Sequence, residues 1–123
     1  MKQAIINATV HTGDEIINNG VIIIENGTIL SVQKETPNDI ETIDLQGNHI
    51  AAGFIDIQIN GGETLYFSQT PTEETIQDIY DASLKYGTTH VLPCLISSSK
   101  ETILQGIEAV RSYRQKHNNG VIG

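Results

Sequence analysis

The chain is short of several residue types, and each shortage excludes a class of protein. Of its 123 residues one is cysteine and none is tryptophan. The single cysteine, Cys94, excludes a disulfide within the chain and a cysteine-rich zinc framework. Seven basic residues stand against fifteen acidic ones, which gives a formal charge of −8. Because this charge repels phosphate backbones and anionic lipids, we expect neither nucleic acid nor a membrane as a partner.

Long apolar runs are also missing near the amino terminus. The first apolar run covers residues 4–6 and stops at Asn7, so it is too short for a signal peptide or a membrane span. On this ground we expect a cytoplasmic protein.

The amino-terminal part alternates strand-forming runs with turn signals. The runs cover residues 3–10, 21–25, 28–33 and 41–45. Asn26 and Gly27 predict a hairpin because both residues tolerate positive φ. Residues 18–20 predict a turn and residues 36–39 a surface loop. We therefore predict a meander of strands that forms a small β-sandwich over residues 1–51.

Residues 53–62 predict a buried strand whose two faces differ in chemistry. Because side chains alternate across a strand, the polar residues lie on one face and the isoleucines on the other. The isoleucine face carries Ile55, Ile57 and Ile59, and the opposite face carries Phe54, Asp56, Gln58 and Asn60. In a barrel of parallel strands, catalytic groups lie where the strands end. Gln58 and Asn60 occupy that end of the strand.

The remaining residues repeat helix and strand. Residues 70–73 combine a hydroxyl cap at Thr70, proline at the first helical position and an acidic third residue, which predicts a helix that Gly87 ends. A strand over residues 88–96 follows, and residues 98–101 repeat the capping pattern before a second amphipathic helix. The apolar faces carry Ile76, Ile79, Tyr80 and Ser83 in the first helix and Ile103, Ile107 and Val110 in the second. This order predicts two right-handed parallel β/α units and the start of a third over residues 52–123.

Several segments resemble the amidohydrolase superfamily. Its first barrel strand usually reads Gly-x-x-Asp-x-His-x-His, and here Gln58 and Asn60 stand where the two histidines would be. This replacement is similar to a branch of the N-acetylglucosamine-6-phosphate deacetylases that keeps a single metal bound by later strands. Residues 44–53 resemble the lead-in to the barrel, and residues 86–99 resemble its second strand and the following loop. The residues Ala52, Glu63 and Cys94 depart from the family's usual pattern.

The resemblance implies a metal-dependent hydrolase that removes acetate from N-acetylglucosamine 6-phosphate. In such an enzyme a zinc or iron ion activates water, and an aspartate on a late strand passes the proton to the leaving amine. A complete (β/α)8 barrel needs roughly 250 residues, whereas this chain has 123. The resemblance therefore implies an amino-terminal portion of a homo-oligomeric enzyme, with a truncated TIM-type barrel, no activity and no bound metal of its own.

The candidate site residues follow from the same resemblance. Carboxamides carry no charge and are weak zinc ligands, so we expect Gln58 and Asn60 near the metal, holding its water or orienting a true ligand. Their spacing alone favours ordinary hydrogen bonds to the backbone. Gly61 and Gly62 are candidate substrate-binding residues, whose N–H groups would hold the phosphate, and a plain turn is the alternative. We expect no catalytic residue in this chain.

The other polar residues that stand out have simpler interpretations. Asp56 is predicted to be a structural carboxylate satisfied by nearby donors, and Cys94 a buried thiol. The four histidines are His11, His49, His90 and His117, and their spacing predicts no ligand cluster. His90 is predicted to be structural.

Two alternative functions stay open. The first is another amidohydrolase, resembling dihydroorotase or dihydropyrimidinase, or a scaffold relative that has lost its metal, because the chain lacks the His-x-His pair. The second is an autonomous small α/β binding module. Such a module would melt cooperatively as a monomer, whereas part of a barrel would associate through exposed strand edges.

Overall fold

The computed structural model describes residues 2–122, which form two units that meet between Ala52 and Gly53. The strands of the first unit are β1 (Lys2–His11), β2 (Ile16–Glu25), β3 (Thr28–Gln33), β4 (Glu41–Asp44) and β5 (His49–Ala51). The second unit contains β6 (Phe54–Ile59), α1 (Glu73–Leu84), β7 (Thr88–Pro93) and α2 (Lys100–Lys116). None of the described helices is long and apolar enough to span a membrane.

The first unit is a mixed sheet built around β1. On one side, β2 and β3 continue the sheet in antiparallel order. On the other side, β1 pairs in parallel with β4 over residues 3–6 and with β5 over residues 9–11. The predicted strands are present, but the described residues place them in one sheet and not in the two facing sheets of a sandwich. The reason is that β4 and β5 share one edge of β1.

Two asparagines at positive φ interrupt the regular alternation of this sheet. Asn7 has φ of 54° in β1 and Asn19 has φ of 53° in β2, and the register of the two strands shifts at both places. Each shift adds one residue to one strand, so Ile5 and Ala8 both pack in the same apolar cluster. The predicted turn at residues 18–20 is wrong, since β2 runs through this segment with a bulge.

In the second unit, the two helices and the parallel strands enclose one apolar core. The buried members of this core are Phe67, Ile76, Ile79, Val91, Ala109, Tyr113 and Val121. A third extended segment begins beside β7, where Val91 N–H donates to Gly120 O at 2.8 Å and Ile122 N–H donates to Val91 O at 3.0 Å. The predicted order of strand, helix, strand, helix and further strand is therefore present.

The first helix begins later than its sequence pattern predicts. The N-cap is Thr72, whose side chain accepts a hydrogen bond from Thr75 N–H at 3.3 Å. The expected cap was Thr70. Instead, the carbonyl oxygen of Thr70 accepts a hydrogen bond from the Thr75 hydroxyl at 2.6 Å. This bond keeps residues 70–72 outside the helix and places Pro71 before the cap. The second helix is capped by Ser99, within its predicted segment.

The buried face of α2 also differs from the predicted one. Of the predicted residues, Val110 packs against the core, whereas Ile103 and Ile107 are 40% and 49% exposed. The buried residues of the helix are Gly106, Ala109 and Tyr113. A Cβ at position 106 would lie 2.7 Å from a methyl group of Leu95, so a larger residue there would require the Leu95 side chain to move.

Strand β6 is much more exposed than predicted. Ile55 and Ile57 are 61% and 72% exposed, and of the three isoleucines only Ile59 packs against the core. Within the described residues, β6 has a paired strand on its β7 side alone. The alternation of polar and apolar residues is present, but no further element of residues 2–122 covers Ile55 and Ile57.

Candidate functional site

The end of β6 carries the two carboxamides that the sequence singles out. Gln58 is exposed and Asn60 is half-buried. Gln58 N–H donates to Asp56 Oδ1 at 2.9 Å, and Asp56 is half-buried. A purely structural role for that carboxylate stays a prediction. The carbonyl oxygen of Asn60 accepts Phe67 N–H at 2.8 Å, so the loop after β6 folds back onto the strand end.

The two glycines that follow shape a tight loop. Gly61 pairs with Tyr66 in antiparallel fashion, and Gly62 N–H donates to Leu65 O at 2.9 Å. A Cβ at position 62 would lie 2.6 Å from the backbone carbon of Asp78, which leaves no room for a larger residue. Their absent side chains thus have a packing reason in this structure. A role in binding substrate stays a prediction.

A carboxylate from α1 holds this loop in place. Asp78 Oδ2 accepts the backbone N–H of Thr64 at 3.0 Å and of Leu65 at 2.9 Å. Thr64 N–H contributes most to holding the pKa of Asp78 below its ordinary value of 3.8, because it favours the ionised form, and burial opposes this only in part. Sequence reasoning missed Asp78, since nothing in its spacing relates it to a loop fourteen residues earlier.

The loop after β7 is joined to the loop after β6. Cys94 N–H donates to Ile59 O at 2.7 Å, and Ile96 N–H donates to the hydroxyl oxygen of Ser68 at 2.9 Å. The Cys94 thiol is half-buried, with Sγ 3.4 Å from the carbonyl oxygen of Leu92. The carboxyl ends of the two strands therefore form one hydrogen-bonded rim.

The rim does not hold the donors for a catalytic metal. Within residues 2–122, no group of three or more histidine, cysteine, aspartate or glutamate side chains is placed to bind an ion. His90, on β7, is exposed and lies 3.0 Å from the Thr89 hydroxyl through its Nδ1. Since Gln58 and Asn60 offer only neutral amide oxygens, the residues of this rim by themselves do not fit the divalent metal that the resemblance implies.

Comparison with known proteins shows that the chain is similar to deacetylases. The sequence profile of the NagA composite domain matches residues 3–50. An N-acetylglucosamine-6-phosphate deacetylase from Haemophilus influenzae is 37% identical over 126 aligned positions, which include the whole of this chain and 33% of that protein. The chain is therefore similar to the amino-terminal third of an N-acetylglucosamine-6-phosphate deacetylase. An N-acetylgalactosamine-6-phosphate deacetylase from Shewanella sp. is 32% identical over 95% of this chain and 29% of its own length.

A solved structure from the same family matches the fold of the chain. The N-acetylglucosamine-6-phosphate deacetylase from Pasteurella multocida superposes with a TM-score of 0.92 at 29% identity, over all of this chain and 33% of that protein. The chain thus spans about a third of the length of the family members that it matches. It shares the β-rich α/β architecture of their amino-terminal part.

Proposed function

We propose that this chain acts as the amino-terminal part of an enzyme that hydrolyses N-acetylglucosamine 6-phosphate to glucosamine 6-phosphate and acetate. The observation that carries the proposal is the 37% identity to a deacetylase along the whole chain. The TM-score of 0.92 to a second deacetylase supports it. The full-length enzyme would be a cytoplasmic homo-oligomer that uses a divalent metal, zinc or iron.

The second unit supplies the first part of the enzyme's barrel in this proposal. Strands β6 and β7 are parallel, each is followed by a helix, and Val121 begins a further parallel segment beside Val91. These are the features of successive β/α units in a TIM-type (β/α)8 barrel. The predicted domains, 1–51 and 52–123, then correspond to the sheet unit and to the first barrel units.

Gln58 and Asn60 would lie beside the metal without binding it. Support comes from their place at the carboxyl end of β6, where barrel enzymes carry their functional groups. Gly61 and Gly62 would lie against the substrate, on a loop that Asp78 holds through two backbone N–H groups. The ligands of the catalytic metal would lie in the rest of the enzyme, because residues 2–122 contain no group of three or more histidine, cysteine, aspartate or glutamate side chains placed to hold an ion.

The test compares the 123-residue chain with a longer protein that contains it and continues to the length of the relatives. We expect metal-dependent acetate release from N-acetylglucosamine 6-phosphate by the longer protein and none by the chain alone. Activity of the purified chain would contradict the proposal that this chain is inactive without the rest of the enzyme. A longer protein that is folded, metal-loaded and inactive on acetylated sugar phosphates would favour a scaffold relative or another amidohydrolase.

A second substrate belongs in the same assay. The relative from Shewanella sp. is named for N-acetylgalactosamine 6-phosphate and matches 95% of this chain at 32% identity. The two sugars differ only in the orientation of one hydroxyl, so their kcat/KM ratio reports the specificity directly. We expect the glucosamine derivative to be preferred, in line with the higher identity to the Haemophilus enzyme. The reverse ratio would make N-acetylgalactosamine 6-phosphate the preferred substrate and leave the proposed reaction, deacetylation, unchanged.

A further inference from the structure

Two histidines that lie far apart in the sequence meet on the sheet of the first unit. His11 Nε2 and His49 Nδ1 are 2.7 Å apart, and the ring centroids are separated by 5.1 Å at an interplanar angle of 27°. His11 is half-buried and His49 is exposed. Their separation of 38 residues explains why no sequence spacing marks them as a pair.

The backbone positions of both histidines are set by the parallel pairing of β1 with β5. Thr9 pairs with His49 and His11 pairs with Ala51, so both histidines lie on the same face of the two strands. Thr9 N–H donates to the carbonyl oxygen of Asn48 at 3.0 Å, next to His49. On the other face, Val10 and Ile50 pack in the apolar core. The two imidazoles are thus presented by a framework that packing holds in place.

The contact places two nitrogens close to the geometry of a chelate. In the hydrogen-bonded pair, one ring nitrogen donates its proton to the lone pair of the other. An ion bound at about 2.0–2.1 Å from each of two neighbouring nitrogens requires these to be roughly 2.9–3.4 Å apart. Small rotations of the two accessible rings would increase the distance between the two nitrogens from 2.7 Å to this range. The shared proton then moves to the outer nitrogen of its ring, so neutral imidazoles bind without a net loss of protons.

We propose that His11 Nε2 and His49 Nδ1 bind a divalent transition metal ion of the nickel, copper and zinc group. Imidazole nitrogens favour these ions over magnesium and calcium, which prefer oxygen. Asp14 and Glu15 line the same surface hollow as His11, and the chain has a formal charge of −8, so the surroundings favour a cation. With two protein ligands on an accessible face, water completes the coordination and the ion exchanges freely. Both histidines belong to the first unit, whereas the rim belongs to the second.

The bound ion would join β1 to β5 through side chains as well as through backbone hydrogen bonds. Because the folded sheet brings the two ligands together and the unfolded chain does not, binding raises the stability of the first unit. The expected signature is a melting temperature of the first unit that rises with the concentration of free Zn²⁺ and does not respond to Mg²⁺.

The experiment titrates the metal-free, untagged 123-residue chain with ZnCl2 in a calorimeter and with CuSO4 in an EPR spectrometer. We expect one Zn²⁺ per chain and a Cu²⁺ spectrum with hyperfine coupling to two imidazole nitrogens. His11→Gln and His49→Gln should each weaken Zn²⁺ binding at least tenfold, and the double variant should be no weaker than the more affected single variant, because either change removes the chelate. The matched control is His90→Gln, which alters an exposed strand histidine in the other unit and should leave binding unchanged.

Two results would overturn the proposal. One is unchanged Zn²⁺ affinity in both single variants, which would show that the ion binds to carboxylates elsewhere in the chain. The other is no binding by the folded wild-type chain at millimolar Zn²⁺, which would leave the histidines as a hydrogen-bonded pair only. Circular dichroism of each metal-free variant checks that the sheet is intact, and the EPR spectrum of the wild-type chain tests the ligand set without any substitution.

Discussion

The two units differ in how completely their strands are paired and covered. In the first unit, β1 has strands on both sides, and its core residues Ala4, Val21 and Ile23 are at most 3% exposed. In the second unit, β6 pairs with β7 on one side, and Phe54 and Ile57 on it are 70% and 72% exposed. The same residue type is therefore buried in one unit and exposed in the other. Ile22 and Ile23 in β2 are buried in their own unit, whereas Ile55 and Ile57 in β6 are 61% and 72% exposed.

The largest expected effect breaks the core of the second unit. Ile79 in α1 has no exposed surface, so Ile79→Ala should lower the free energy of unfolding of this unit by about 2–5 kcal/mol through the lost burial and the cavity left behind. Hydrogen exchange of α1 and β7 amides measures the loss. The matched control is Ile57→Ala on β6, where the same change at an exposed site should cost less than about 0.5 kcal/mol. Equal losses at both positions would mean that β6 is covered in solution.

The next prediction uses that exposed strand directly. An apolar edge with free backbone groups pairs with other chains, so the 123-residue chain should self-associate as its concentration rises. Ile57→Lys should weaken this association about tenfold, which corresponds to about 1.4 kcal/mol. Sedimentation velocity at several concentrations measures it. The control variant is Ile29→Lys, at a 62% exposed position of β3 in the first unit, and its self-association is compared with that of Ile57→Lys. A wild-type chain that stays monomeric at all concentrations would instead support the autonomous module.

A smaller effect concerns the loop that Asp78 holds. Because the pKa of Asp78 is lowered in the folded state, its contribution is fully present above its ordinary value of 3.8 and is lost as the pH falls through the folded pKa. Asp78→Asn should reduce stability at pH 7 by roughly 1.5 kcal/mol, since hydrogen bonds to a charged group are replaced by neutral ones. The difference from wild type should shrink at pH 3. Urea unfolding at both pH values measures it.

Asp81→Asn provides the control for this pH dependence. Asp81 lies on the same helix and is exposed, with Oδ1 accepting the Gln77 side-chain amide at 2.8 Å. Its replacement should leave the acid limb of the stability profile unchanged. A profile that responds equally to both substitutions would show that overall charge, and not the bonds to the loop, sets the acid sensitivity of this unit.

The smallest effect tests the start of α1. Thr72→Ala removes the side-chain acceptor for Thr75 N–H and should cost about 1 kcal/mol. Thr70→Ala, at the position that the sequence pattern favours as the cap, should cost less, because Thr70 contributes only its backbone carbonyl to the bond with Thr75. Thermal unfolding followed by circular dichroism at 222 nm compares the two variants. The opposite ranking would restore the predicted helix start.

Local patterns predicted most of the elements but not their partners. The hairpin at Asn26 and Gly27 joins β2 to β3 as expected, because both residues adopt positive φ values that the turn requires. The bulges at Asn7 and Asn19 use the same conformational freedom within strands. The sequence predicted a continuous strand through Asn7 and a turn at Asn19, and a bulge at neither. The difference depends on whether a neighbouring strand continues the hydrogen bonding past the asparagine.

The candidate site shows the same division. The alternation in residues 53–62 predicted a strand that ends in two carboxamides, whereas the resemblance implied their place near a metal and named the family that the comparisons support. The loop contact of Asp78 and the bond from Ile96 N–H to Ser68 were not predictable, because each joins residues from different elements. Periodicity records which way a side chain points along its own element, and it contains no information about what lies opposite.

The sequence by itself therefore determined the order of the strands and helices, their approximate limits and the family resemblance. These depend on propensities, turn residues and motifs that act within about ten residues of one another. The tertiary structure decided that β4 and β5 share one edge of β1, that Gly106 and Tyr113 form the buried face of α2, and that His11 meets His49. The physical reason is that such contacts arise from the packing of distant segments, where the space left by one element selects the residue of another.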